Sequence, residues 1–68
     1  MLLQVLKPKR EYLISLRKSK KLSQGDLASR FSITREFYSM IEHNKRNPNL
    51  ELAKEIAIFF NVSVEEIF

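Results

Sequence analysis

The residue types that can do chemistry cluster in one short stretch: Thr34-Arg35-Glu36-Phe37, then Ser39-Met40, His43 and Lys45-Arg46. An arginine can pair bidentately with the O6/N7 edge of guanine, and a glutamate can accept from cytosine N4. Phe37 and Met40 stand three apart, and such apolar side chains can cover thymine methyls. Lysine and arginine just beyond them suit phosphate. No catalytic set accompanies this group. There is no serine–histidine–acid spacing, no P-loop and no glycine-rich fingerprint. His43 is the only histidine and cysteine is absent, so neither a metal site nor a cofactor is expected. The chain reads as a non-enzyme.

Residues of this kind reach a partner only from a projecting element. One helix is expected over about Gln24–Phe31, with Ser23 as N-cap and Asp26 completing a capping box. Leu27, Ala28 and Phe31 form its apolar stripe. A second is expected over about Arg35–Glu42, capped by Thr34, with Tyr38 and Ile41 facing inward. Only Ser32 to Thr34 separates the two, with apolar Ile33 in the turn. Ala28 is small where the second helix must cross the first. Residues 23–42 thus meet the steric needs of a helix-turn-helix, with the second helix projecting its start. A helix of about eight residues is roughly 12 Å long, close to the roughly 12 Å width of a major groove.

Three more helices frame this pair. The first is expected from about Lys9 to Lys20, with Pro8 suited to its start. Leu13, Leu16 and Tyr12 share its inward face, and Arg10, Arg17 and Lys18 are the polar complement. The segment after Glu42 ends near Asn44, a residue that tolerates a left-handed backbone. A fourth helix runs over about Leu50–Phe60 behind the N-cap Asn49. Ala53, Ile56, Ala57 and Phe60 give it a buried face. Leu52 and Phe59 form a second apolar strip, more than one small core needs. The fifth, Val64–Phe68, starts at a Ser63/Glu66 capping box with a Val62/Ile67 hydrophobic staple. The expected fold is all-α, with a five-helix domain over 9–68 behind an N-terminal arm, 1–8. Leu3 and Val5 alternate in that arm, which suits a short strand or a frayed end.

Length and composition narrow the class. With 68 residues the chain forms one domain near the lower limit for folding alone, so a partner copy is a reasonable expectation. The opening Met1–Leu6 is too short to span a bilayer and lacks a signal-peptide layout; a cytoplasmic protein is expected, with no membrane partner. The net charge of +4 divides into +7 over residues 1–35 and −3 over residues 36–68. That asymmetry suggests one side turned to a polyanion.

The pattern Leu22-Ser23-Gln24 … Leu27-Ala28 … Ile33-Thr34 … Tyr38 … Ile41-Glu42 … Arg46-Asn47-Pro48 resembles the lambda-repressor-like, Cro-type helix-turn-helix family, often called XRE. The likeness covers about residues 10–68. It implies a bacterial or phage-type transcriptional regulator, a repressor, acting as a homodimer on an inverted-repeat operator in double-stranded DNA. It implies that Arg35, Glu36 and Met40, with Ser39 beside them, reach base edges, and it sets Phe37 next to them. It implies that Gln24 opens the second helix against a phosphate and buttresses the reading residues. Thr34 caps the recognition helix near the DNA backbone, and His43, Lys45 and Arg46 follow it as phosphate contacts. Arg17 and Glu42 fall where the family often carries an ion pair between first and third helices.

The sequence departs from the family pattern where it has Ser32 in place of the turn glycine. Lys21 and Asn61 stand where glycine commonly ends a helix, Phe37 is bulky, and Met40 is apolar at a reading position. Leu52, Ile58, Phe59 and Phe68 either finish the monomer core or form a dimer patch on the fourth and fifth helices. Lys18, Lys20 and Lys21 are a solvated face or phosphate contacts. Two other readings stay open: a protein-binding module on the same fold, such as an antitoxin or anti-repressor partner, and a membrane-surface peptide through residues 1–10.

Overall fold

The computed structural model describes residues 10–68. Along them run α1 (Glu11–Ser19), α2 (Gln24–Arg30), α3 (Arg35–Glu42), α4 (Leu50–Phe60) and α5 (Val64–Ile67). No strand occurs among the described residues. The expected roles of Pro8 and Lys9, and the strand through Leu3 and Val5, lie outside them.

Four helices begin on a side-chain cap. Ser23 Oγ accepts from the Asp26 N–H at 3.0 Å, and Asp26 accepts from the Ser23 N–H at 2.9 Å. Thr34 Oγ1 accepts from the Phe37 N–H at 3.0 Å and Asn49 Oδ1 from the Leu52 N–H at 2.8 Å. Ser63 and Glu66 close a second capping box. Each cap contributes about 1 kcal/mol by satisfying an N–H that the helix leaves free. α1 has no such cap, but Glu11 in its first turn and Arg17 and Lys18 in its last complement the helix dipole.

Four helices also end alike. Lys21, Ser32, Asn44 and Asn61 all adopt the left-handed conformation, with φ of 58°, 59°, 61° and 58°. After each, the next N–H reaches back over the last turn: Leu22 to Arg17 O, Ile33 to Ala28 O, Lys45 to Met40 O and Val62 to Ala57 O. These are Schellman closures, and they usually carry glycine. The chain's only glycine, Gly25, is at none of them. A non-glycine residue there is strained by about 1–2 kcal/mol, less for asparagine.

Leu13, Leu27, Ala28, Tyr38, Ile41, Ile56, Phe60 and Ile67 form the core, one contribution or more from every helix. Leu16, Phe31, Ile33, Leu52 and Val62 pack around it half-buried. Tyr12 departs from expectation: it is 42% exposed. The inward stripe of α1 is centred on Leu13 and Arg17, because Arg17 must reach a buried carboxylate on α3. Tyr12 lies about 100° around the helix from Leu13, on the side away from Arg17, and so falls at the rim.

Candidate nucleic-acid interface

α3 has two faces. Tyr38, Ile41 and Glu42 point inward and are buried. Arg35 and Glu36 are exposed, and Ser39 and Met40 are partly so. These four outward residues line one open concavity together with Gln24 from the start of α2. Thr34, exposed, caps the helix beside them.

Glu42 is the polar centre that fixes this arrangement. It is 1% exposed and would be costly to bury alone. Arg17 Nε donates to Glu42 Oε2 at 2.7 Å and Arg17 Nη2 donates to Oε1 at 3.2 Å. Gln24 Nε2 donates to Oε1 at 3.0 Å. Burial alone would push the Glu42 carboxyl up; the hydrogen bonds from Arg17 and Gln24 outweigh it and hold the carboxyl below its ordinary value. Arg17 Nη1 also donates to Leu22 O at 2.9 Å, so the same guanidinium ties α1 to the turn before α2. Three helices therefore meet at one carboxylate. Tyr38 Oη lies near it but has no sound hydrogen-bond partner, and burial, with the carboxylate alongside, pushes the phenol well up.

Gln24 consequently belongs to both faces. Its amide is held by the buried carboxylate while the residue lines the outward concavity. His43, at the C-cap of α3, is set by a 2.8 Å contact from its Nδ1 to Ser39 O. Lys45 and Arg46 follow, exposed, in a turn whose N–H groups both return to Met40 O.

Phe37 is not part of the concavity. Its ring packs half-buried against the core and lines a different groove, with Phe31, Ile33 and Leu52. It sits on the flank of α3 that faces α4, packed with these neighbours. The apolar residues considered as a dimer patch are also divided. Ile58 is 76% exposed, whereas Leu52, Phe59 and Phe68 are half-buried against the core. Phe59 meets Phe31 and Phe60 edge-on and is flanked by Lys20 and Arg30. Phe68 instead lies under the Arg10 guanidinium. Leu50, 65% exposed, is an apolar surface residue that the sequence reading did not single out.

Arg10 is the other residue that sequence reasoning missed. Its guanidinium reaches the last turn of α3 and the turn after it. Two acceptors are main-chain carbonyls and the third is the Asn47 side chain, all more than thirty residues away, and no local pattern announces them. No group of metal-ligating side chains occurs among the described residues, and none of their helices is long and apolar enough to cross a membrane.

Comparison with known proteins agrees with this geometry. The HTH_3 family profile, described as helix-turn-helix, matches residues 13–67. An uncharacterised HTH-type transcriptional regulator of Methanocaldococcus jannaschii is 45% identical over 47 residues, which cover 69% of this chain and 71% of that protein. A regulator of the same description from Archaeoglobus fulgidus is 43% identical over 47 residues, 69% of this chain and 66% of its own. Among solved structures, the restriction-modification controller protein C.AhdI of Aeromonas hydrophila superposes with a TM-score of 0.73 at 29% identity, over 87% of this chain and 89% of that one. These sequence relatives are archaeal, so similarity does not single out the bacterial or phage source that the resemblance implied. The chain belongs to the XRE-type, lambda-repressor-like helix-turn-helix family, HTH_3.

Proposed function

We propose that the chain binds double-stranded DNA sequence-specifically as a small homodimeric transcriptional regulator, a repressor, with α3 in the major groove. One observation carries this reading. The outward side of α3 presents Arg35, Glu36, Ser39 and Met40 around a single concavity, while the Arg17–Glu42 hub behind it satisfies the inward charge. The only ion pair within the described residues is that buried one, so Arg35 and Glu36 are available to base edges. Gln24 lines the same concavity, Thr34 caps α3, and His43, Lys45 and Arg46 follow its end; in this reading the five supply phosphate contacts, which position the protein without reading sequence.

Ile58, with Phe59 beside it, is the anchor of the dimer, since a large apolar side chain left so exposed suits burial against a second copy. Leu52 and Phe68 finish the monomer core and contribute at the margin. A two-fold dimer presents two copies of α3 about 34 Å apart, and its operator is then an inverted repeat.

Selection from a random duplex library at about 150 mM salt tests the reading, because non-specific binding is weak there. An enriched inverted repeat is the expected result. Enrichment of a single half-site would remove the dimer. No enrichment by folded protein would overturn DNA reading and favour a protein-binding module on the same fold. Sedimentation at tens of micromolar protein should give a dimer, and Ile58→Lys should give a monomer.

A further inference from the structure

α3 has no basic residue in its last turn, although the free carbonyls there form the negative end of its dipole. The cation is supplied from outside the helix. Arg10 Nη1 donates to Ile41 O at 2.8 Å and to Arg46 O at 3.2 Å, and Nη2 donates to Asn47 Oδ1. The Arg10 backbone N–H donates to Glu42 O at 2.9 Å. The guanidinium carbon lies over the Phe68 ring, 4.8 Å from its centroid. One side chain thus joins the end of α3, the far side of the following turn and the end of α5.

The turn so enclosed, residues 43–47, holds Lys45 and Arg46, both exposed. We infer that Arg10 is a positioning residue that clamps this turn, and so sets Lys45 and Arg46 at the distance from α3 at which they meet the phosphates flanking the groove. The inference rests on the DNA-binding reading above. It differs from a direct phosphate contact by Arg10 itself. Both Nη1 protons and one Nη2 proton are committed to protein oxygens, and the guanidinium carbon lies over the Phe68 ring. A planar fork that bridges several acceptors while stacking on a ring is specific to arginine; lysine supplies the charge but not the geometry.

The test uses the full chain with Arg10→Ala, Arg10→Lys, Lys45→Ala and the Arg10→Ala/Lys45→Ala pair. Amide hydrogen exchange without DNA reads the clamp directly. At Asn44, Lys45 and Arg46 it should speed up about tenfold in both Arg10 variants, in line with losing charge-assisted hydrogen bonds, while the α2 amides keep their rates. Affinity for the selected duplex, measured over a salt series, reads the consequence. Arg10→Ala and Arg10→Lys should each lower affinity and flatten the salt slope, and the double variant should lose less than the product of the two single losses. Unchanged exchange in the turn would overturn the clamp, as would an Arg10→Lys variant indistinguishable from wild type. Losses that multiply would also overturn it, because they would make Arg10 an independent phosphate contact. If Arg10→Ala does not fold, Arg10→Lys and Phe68→Leu carry the same comparison. Wild-type protein that bound no duplex would overturn the DNA reading itself, a result told apart from failure of the clamp by the exchange rates.

Discussion

The two faces of α3 are built on opposite terms. On the inner face the charge is answered: Tyr38 and Ile41 are packed, and Glu42 receives hydrogen bonds from Arg17 and Gln24. On the outer face Arg35 and Glu36 have no ion-pair partner within the described residues. The eight residues of one helix therefore divide into a set that is buried in the fold and a set left exposed. The division makes the two separable by substitution, which a site built of buried residues alone would not be.

Replacing Glu42 is the hardest blow to the inner face. Glu42→Ala leaves Arg17 and the Gln24 amide facing a vacancy, and should cost about 3–5 kcal/mol, most of the stability of a domain this size. Urea unfolding would show it; a loss below about 1 kcal/mol would mean that the hub is incidental. The same carboxylate gives the fold an acid limit. Its folded pKa is lowered, so its contribution is fully present above the unfolded value, near about 4.3, and is lost as pH falls through the folded value. Asp26, lowered by the Ser23 backbone and side chain, acts with the same sign. Stability should be level at neutral pH and decline below about pH 4. In Glu42→Gln that decline should be shallower.

Arg35→Ala addresses the outer face. It should leave the unfolding midpoint in place and relax preference at one base pair per half-site by about 1–3 kcal/mol. An unchanged preference in a repeat selection would remove Arg35 from the reading set. Phe37 lies on the border between the faces and sharpens the contrast. Because its ring packs with Ile33 and Leu52, Phe37→Ala should cost about 2 kcal/mol of stability, below the range for a fully buried ring, and leave base preference alone. The reverse result would move Phe37 to the outer face. The smallest effect concerns the turn between α2 and α3. Ser32→Gly relieves a left-handed serine and should raise stability by about 0.5–1 kcal/mol, visible as a shift in the melting temperature.

What could be read in advance follows from the range of each interaction. The caps at Ser23, Thr34, Asn49 and Ser63 involve residues three apart, and the residue types announce them. The left-handed end at Asn44 was legible from its residue type, and Ser32, Lys21 and Asn61 stood where the family pattern has glycine. The main-chain contacts of Arg10 were not legible, since carbonyls are present at every residue and carry no sequence signal. Nor could spacing decide between Phe37 and Met40. Both lie on the same side of a helical wheel, and only the position of α4 turns one into packing and leaves the other beside Gln24. Tyr12 was misplaced because periodicity treats Arg17 as polar and outward, whereas a buried partner draws it inward.

The non-glycine helix ends have a thermal consequence. The strain of a left-handed Lys21 or Ser32 is a local steric energy that changes little with temperature. The freedom that glycine would give the unfolded chain is an entropy, and its weight grows on heating. Glycine at these ends should help most in the cold, and its advantage should narrow as the melting temperature is approached. Ends that look like flaws at room temperature become progressively cheaper as the chain is warmed.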